Sequence, residues 1–155
     1  MIQTFNEFME TNKSGRDTAG IAIVFDGKIL LVHPKNGSWV KPIMGIPKGK
    51  IEEGENPMAA AVRETFEETG LKIEPAQLEL APQTIDVHDK NGNYRNTIYY
   101  YICRISNLAQ IGLDSLSVPK SQLQAEEVDW AGFISLQEAY GKVVAAQRII
   151  LDRLS

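Results

Sequence analysis

A mixed α/β or α+β sandwich, not a doubly wound sheet, is the fold class this chain predicts, and three observations predict it. Strand-like runs outnumber helical ones, one amphipathic helix over 57–69 is embedded among them, and a second amphipathic stretch, Leu136–Leu154, closes the chain. The 155 residues suit one domain, 1–155, with one core. A hydrophobic content of 43% and a charged content of 23% are ordinary for a soluble globular protein. The net charge of −4 offers no basic stripe and argues against duplex DNA as a partner. An anionic substrate would then need help from a metal or a few lysines and arginines. The single cysteine, Cys103, excludes an internal disulfide, and its place in IYYYICRI marks it as a core thiol. No run approaches the ~18 apolar residues of a membrane span, so a cytoplasmic enzyme or binding module is expected.

Taken in order, residues 1–16 are mostly polar, with Phe5, Phe8 and Met9 at helical spacing, and read as an N-terminal arm or short helix. Gly20–Phe25 and Lys28–Val32 flank Asp26-Gly27, the strongest short hairpin signal. Trp39 opens a short strand expected to end near Ile43. In MGIPKGK, Gly45, Pro47 and Gly49 argue for a shaped loop. Asn56 and Pro57 suit the N-cap and first position of a helix, and Gly70 suits its left-handed C-terminal cap. Met58, Ala61, Val62, Thr65 and Thr69 form the packing side of that helix. Leu71–Ile73 reads as a short strand ended by Pro75. Leu78–Val87 and Asn96–Ile105 read as a second hairpin turning over His88–Asn93. Ser106–Gln124 is a long connection of a kind that is often functional. Val128–Ile134 is a last strand, and Leu136–Leu154 a terminal helix.

The chemistry concentrates in Gly49–Leu71, GKIEEGENPMAAAVRETFEETGL. At ~100° per residue, Glu64, Glu67 and Glu68 share one helix face. Like charges at that spacing cost roughly 0.2–0.5 kcal/mol per pair. A hard cation such as Mg²⁺ between them would turn that repulsion into binding. A solvated acidic face is the competing reading of the three glutamates alone.

The whole stretch satisfies G-x5-E-x7-R-E-U-x-E-E-x-G-U, with U a bulky aliphatic residue, through Gly49, Glu55, Arg63, Glu64, Glu67, Glu68, Gly70 and Leu71. It resembles the signature box of the Nudix hydrolases. The preceding hairpin, the lead-in WxxPxxGIPKGKIEEGE and the Trp130 strand followed by a terminal helix extend the resemblance over most of the chain. Thr65 departs from it, standing where the family has a larger aliphatic residue. The resemblance implies a Nudix-type α/β/α sandwich with a mixed central sheet, a box helix and a C-terminal helix. It also implies hydrolysis of a phosphoanhydride in a nucleoside diphosphate linked to another moiety, with Mg²⁺ or Mn²⁺ as cofactor. Phosphoryl transfer needs charge neutralisation and an in-line water, which carboxylates holding metals provide.

By the same resemblance, Glu64, Glu67 and Glu68 are metal ligands, and Glu64 or Glu68 orients or deprotonates the water. The carbonyl of Lys48 or Gly49 is a further ligand, and Arg63 aims a neighbouring glutamate with Glu55 as its partner. A purely structural Arg63–Glu55 salt bridge is the alternative. The glutamate that many members place six residues before the late tryptophan is Gln124 here. Glu126 and Glu127 lie close by, and Glu126 is the favoured substitute. Lys48 and Lys50 are candidates for substrate phosphates, and Trp39 for stacking on a nucleobase. His33 and His88 are expected in ordinary surface roles, and Tyr99 and Tyr101 in the core. The segment PKGKIEEGE resembles the lead-in of diadenosine polyphosphate hydrolases and RNA-decapping members, while ADP-ribose and nucleoside triphosphates stay open. The expected partner is a small-molecule nucleotide, with no membrane and with homodimerisation left open. A non-catalytic nucleotide-sensing domain on the same fold is the rival reading.

Overall fold

The computed structural model describes residues 16–155, so the expected N-terminal arm lies, Arg16 apart, outside the described residues. Strands β1 (Thr18–Phe25), β2 (Lys28–Pro34), β3 (Lys48–Lys50), β4 (Gln83–His88), β5 (Tyr94–Arg104) and β6 (Val128–Ser135) form one sheet. Its order is β4-β5-β1-β2-β6, with β3 pairing β1 beside that path. The β1–β5 pair is parallel and the other pairs are antiparallel, so the sheet is mixed. Helix α1 (Pro57–Thr69) covers one face, and α2 (Leu136–Tyr140) and α3 (Ala145–Leu154) cover the other. The strands alternate accordingly. Ile21, Ile23 and Leu30 join α1 in one core cluster, while Ala22, Ile29, Leu31 and Tyr100 join Ile150 and Leu151 in a second.

The first hairpin turns through Asp26 (φ 48°) and Gly27 (φ 70°), two left-handed residues whose backbone twist matches that of the flanking strands. The second turns over Asp89–Asn93. There the Asp89 carboxylate accepts from the backbone N–H of Asn91 (2.9 Å) and Asn93 (3.0 Å). As expected, Tyr99, Tyr101 and Cys103 are buried on β5. Burial pushes the Cys103 thiol up to about 11, which leaves it unreactive as a nucleophile. No helix among the described residues is long and apolar enough to cross a membrane.

Six sequence expectations are corrected. Residues 39–43 form no strand; the neighbouring backbone is used instead in isolated bridges, Gly45 with Val32 and Met44 with Val143. Lys48–Lys50, expected as loop, is strand β3. Leu71 and Ile73 are buried, but 71–73 lies outside any strand, and β4 begins only at Gln83. The terminal helix is two helices: the Lys142 carbonyl accepts from the Met44 N–H (2.7 Å) and Val144 is extended, which separates α2 from α3. Finally, the long connection is structured: single-turn 3-10 helices at Leu108–Ile111 and Lys120–Gln122 punctuate it, and residues 116–118 pair with β6.

Candidate active site

Helix α1 begins and ends where its sequence dictates. The Asn56 side chain accepts from the Ala59 N–H at 2.8 Å, Pro57 takes the first turn, and Gly70 (φ 72°) returns its N–H to the Phe66 carbonyl at 2.8 Å. Ala60, Ala61, Thr65 and Thr69 are buried against the sheet. Met58 and Val62 pack at the rim of the same core. At Thr65 the departure from the aliphatic pattern leaves a buried hydroxyl with no hydrogen-bond partner among the described residues. The cost falls on packing and not on the carboxylate face.

That face is not simply solvated. β3 pairs with β1, Gly49 opposite Ala19, and this brings the 48–50 backbone against α1. A Cβ on Gly49 would collide with the Glu64 carboxylate, so any larger residue there would push that side chain aside. The Glu64 side chain is only 14% exposed, whereas Glu67 is 47% exposed. Glu68 accepts from the Lys48 N–H at 3.2 Å. Burial, and then the charge of Glu64, push the Glu68 carboxyl up to about 8. Burial also raises Glu64, against the pull of Arg63. The Lys48 ammonium is lowered by burial and partly restored by Glu68 and Glu64, which places it beside them.

Arg63 is the hub of the cluster. It meets Glu55 with two charge-assisted bonds, Nε to Oε2 and Nη2 to Oε1, both 2.8 Å. Its Nη1 donates to Glu64 (2.8 Å) and reaches both oxygens of Glu67 (3.2 Å), and its Nη2 donates to the Lys50 carbonyl (3.0 Å). Hydrogen bonding to Arg63 holds Glu55 below the usual carboxylate range. The guanidinium therefore ties the β3 loop, the Glu55 turn and two helix carboxylates into one unit.

Glu64, Glu67 and Glu68 supply only oxygens, and two of the three are disfavoured as anions where they sit, so the donor set suits a hard divalent cation. As placed, no three acidic side chains among the described residues converge on one point. Glu64 and Glu67 point at Arg63. Holding a cation requires them to turn from the guanidinium, while Glu55 keeps Arg63 in place. From outside the helix, the negative charge of Glu127 reaches both Glu64 and Glu68. Gln124, at the usual position of the outer ligand, instead gives its backbone N–H to the Glu68 carbonyl (3.1 Å).

The other candidates separate. Lys48 joins the cluster, whereas the exposed Lys50 contributes its carbonyl to Arg63. Trp39 lies with Trp130, which packs on the α3 side of the sheet: its ring stacks on His33 at 3.8 Å and meets Trp130 edge-on at 6.5 Å. The ordinary surface role expected of His33 is wrong, because its side chain is 0% exposed. Its Nδ1 lies 2.7 Å from an Asp129 carboxylate oxygen and its Nε2 lies 2.9 Å from the Ser38 carbonyl. The sequence reading missed Asp129. The available signal was a histidine inside the apolar run LLVHP, facing inward on a strand.

With this geometry in place, comparison with known proteins is informative. The profile of the NUDIX domain matches residues 15–154. The methanol dehydrogenase activator of Bacillus methanolicus is 45% identical over 56 residues, a match spanning 36% of this chain and 30% of that protein. The RNA pyrophosphohydrolase of Bartonella bacilliformis is 28% identical over 134 residues, covering 81% of this chain and 76% of that one. Among solved structures, the MutT NUDIX hydrolase of Burkholderia pseudomallei superposes with a TM-score of 0.66 at 27% identity, covering 90% of this chain and 98% of that one.

Proposed function

The chain belongs to the NUDIX family of phosphoanhydride-cleaving hydrolases, and from that premise we propose that it is a divalent-metal-dependent pyrophosphohydrolase acting on a small nucleotide. The observation that carries the reading is the crowding of Glu64 and Glu68 against β3, which pushes the Glu68 carboxyl up to about 8. Two acids held this close are costly without a cation and become an asset with one. Glu64, Glu67 and Glu68 would hold Mg²⁺ or Mn²⁺, with Glu127 as the outer carboxylate and the Lys48 or Gly49 carbonyl as a further donor. When bound, the ion supplies neutralisation of phosphate charge and a more acidic water.

The residues then divide the work. In the hydrolysis, a water oxygen forms a bond to phosphorus as the bridging P–O bond breaks, and two phosphate products leave. The water gives one proton to a carboxylate, for which Glu68, held against β3 by the Lys48 N–H, is the better-placed base. Glu64, held by Arg63, is the alternative. Lys48 faces the cluster and suits a phosphate oxygen. Arg63, locked by Glu55, is a positioning residue that bridges Glu64 and Glu67 and offsets their repulsion.

A screen of nucleotide substrates for phosphate release with and without Mg²⁺ tests the reading, run beside Glu67→Gln and Glu68→Gln. Turnover that needs the metal and is lost in both variants supports it. A parent that hydrolyses nothing while still binding nucleotide favours the sensing domain instead.

A further inference from the structure

Residues 44–48 lead into the Gly49 turn, and each backbone N–H among them has a different partner. Met44 donates to the Lys142 carbonyl (2.7 Å) and Gly45 to the Val32 carbonyl (3.2 Å). Ile46 donates to Gln147 Oε1 (2.9 Å), Pro47 has no N–H, and Lys48 donates to Glu68 (3.2 Å). Of these four bonds, two end on side chains. Gln147 stands on α3 and Glu68 on α1, so the two side chains come from opposite faces of the sheet.

Gln147 is out of character for its place. The other buried residues of α3 are Ile150 and Leu151, and Gln147 is only 6% exposed beside them. A buried amide is costly unless it is hydrogen-bonded, and an aliphatic side chain would serve the packing as well. Its polar end is closely confined. A Cβ on Gly45 would stand 2.8 Å from Gln147 Nε2 and 3.0 Å from Oε1, so the amide abuts the Gly45 backbone.

The link from Gln147 to the carboxylates is short and stiff. The Pro47 ring fixes its own φ and disfavours helical backbone at Ile46. The Pro47 carbonyl accepts from the Ile21 N–H (3.3 Å), and Gly20 abuts Pro47 and Lys48. A shift of Ile46 is therefore carried to Lys48 and not absorbed between them. We propose that Gln147 is a positioning residue of the active site: by holding the Ile46 N–H, it sets where the Lys48 N–H meets Glu68 and where Gly49 abuts Glu64. The proposal rests on the hydrolase reading for what the carboxylates do, and the backbone link can be read without turnover.

The test compares the full chain with Gln147→Met, of similar length but without the amide acceptor, and with Gln147→Glu, which keeps an Oε1. Leu151→Ala, on the same buried face, controls for loosening of α3 alone. Thermal melting ranks the variants, and amide hydrogen exchange followed by NMR reads Lys48 without metal. Initial rates with Mg²⁺ on ATP, ADP-ribose and a diadenosine polyphosphate give kcat and KM. Expected in Gln147→Met is about fivefold to tenfold faster exchange at Lys48, with the β5 amides unchanged, and a kcat lower by about the same factor with KM within about twofold. Gln147→Glu should restore both. Leu151→Ala should leave both near the parent despite a comparable or larger fall in melting temperature. If Gln147→Met does not fold, Gly45→Ala, whose methyl crowds the Gln147 amide, takes its place with the same expectations. Unchanged Lys48 exchange, an unchanged kcat despite faster exchange, or an equal response in Leu151→Ala each overturns the positioning role. A parent that hydrolyses none of the three nucleotides, with the Lys48 response intact, sinks the hydrolase reading and leaves the Gln147 link standing.

Discussion

The α1 carboxylate face and the His33 end of the sheet are both polar sites pressed against a core, and they are built in opposite ways. On α1, the partners are near in sequence: Arg63 bonds Glu55, Glu64 and Glu67, all within eight residues. The resulting unit is held in tension, since burial raises Glu64 against the pull of Arg63 and raises Glu68 against the pull of Lys48. At the other end, His33 and Asp129 are 96 residues apart and every ring nitrogen has a partner. That site is at rest. The first is organised to accept something, and the second to hold β2, the 34–43 loop and β6 together. A buried polar group fully satisfied stabilises a unique arrangement, and one left partly satisfied marks a place where a ligand belongs.

The contrast can be tested from its largest expected effect downward. Glu68→Gln should cut turnover by about 10²–10⁴-fold, as measured by initial rates with saturating Mg²⁺, while leaving the melting temperature unchanged or higher. Unchanged rates would place the base elsewhere. His33→Ala should do the reverse. It strands Asp129 and the Ser38 carbonyl and removes the stack under Trp39, at a cost of about 2–4 kcal/mol read from the urea midpoint. Mn²⁺ affinity should be retained, and a large fall in it would mean that the two regions are not separable. Gly49→Ala should affect both quantities, because the added methyl displaces the Glu64 carboxylate. A destabilisation of about 1–3 kcal/mol with weakened metal binding is expected, and calorimetry reads both.

A pH series sharpens the idea of stored tension. A carboxyl raised to about 8 in the folded chain keeps a proton that the unfolded chain has lost. The contribution of Glu68 to stability therefore falls as pH rises from the ordinary carboxylate range through about 8. Glu55 is shifted the other way. Its contribution is present above the unfolded value and is lost as pH falls through its lower folded value. Mg²⁺ should raise the melting temperature more at pH 8.5 than at pH 6, since it competes with the proton on Glu68; an equal rise at both would remove Glu68 from the ligand set. The smallest effect is expected for Asn56→Ala. Losing the cap costs about 1 kcal/mol with turnover unchanged.

How legible each region was follows from the same difference. The caps Asn56 and Gly70, the hairpin at Asp26-Gly27 and the shared face of Glu64, Glu67 and Glu68 were all readable, because each depends on residues a few positions apart. The Arg63–Glu55 pair was readable too. The strand expected over 39–43 and the unbroken terminal helix were misread because the backbone of Met44 bonds that of Lys142, a contact with no local signature. His33 was misread for the same reason. Its burial depends on β2 lying opposite β6, with His33 across from Trp130.

The sequence by itself determined the helix, its ends, the face its acids share and the family to which that pattern belongs, since helical geometry turns spacing directly into position. Only the tertiary structure decided what surrounds those acids. It set β3 close enough for the Gly49 Cα to abut the Glu64 carboxylate, brought the charge of Glu127 to bear on Glu64 and Glu68, and sent Trp39 to the His33 side. Those outcomes depend on strand register and on which distant segments share a core, and a chain read residue by residue carries no measure of either.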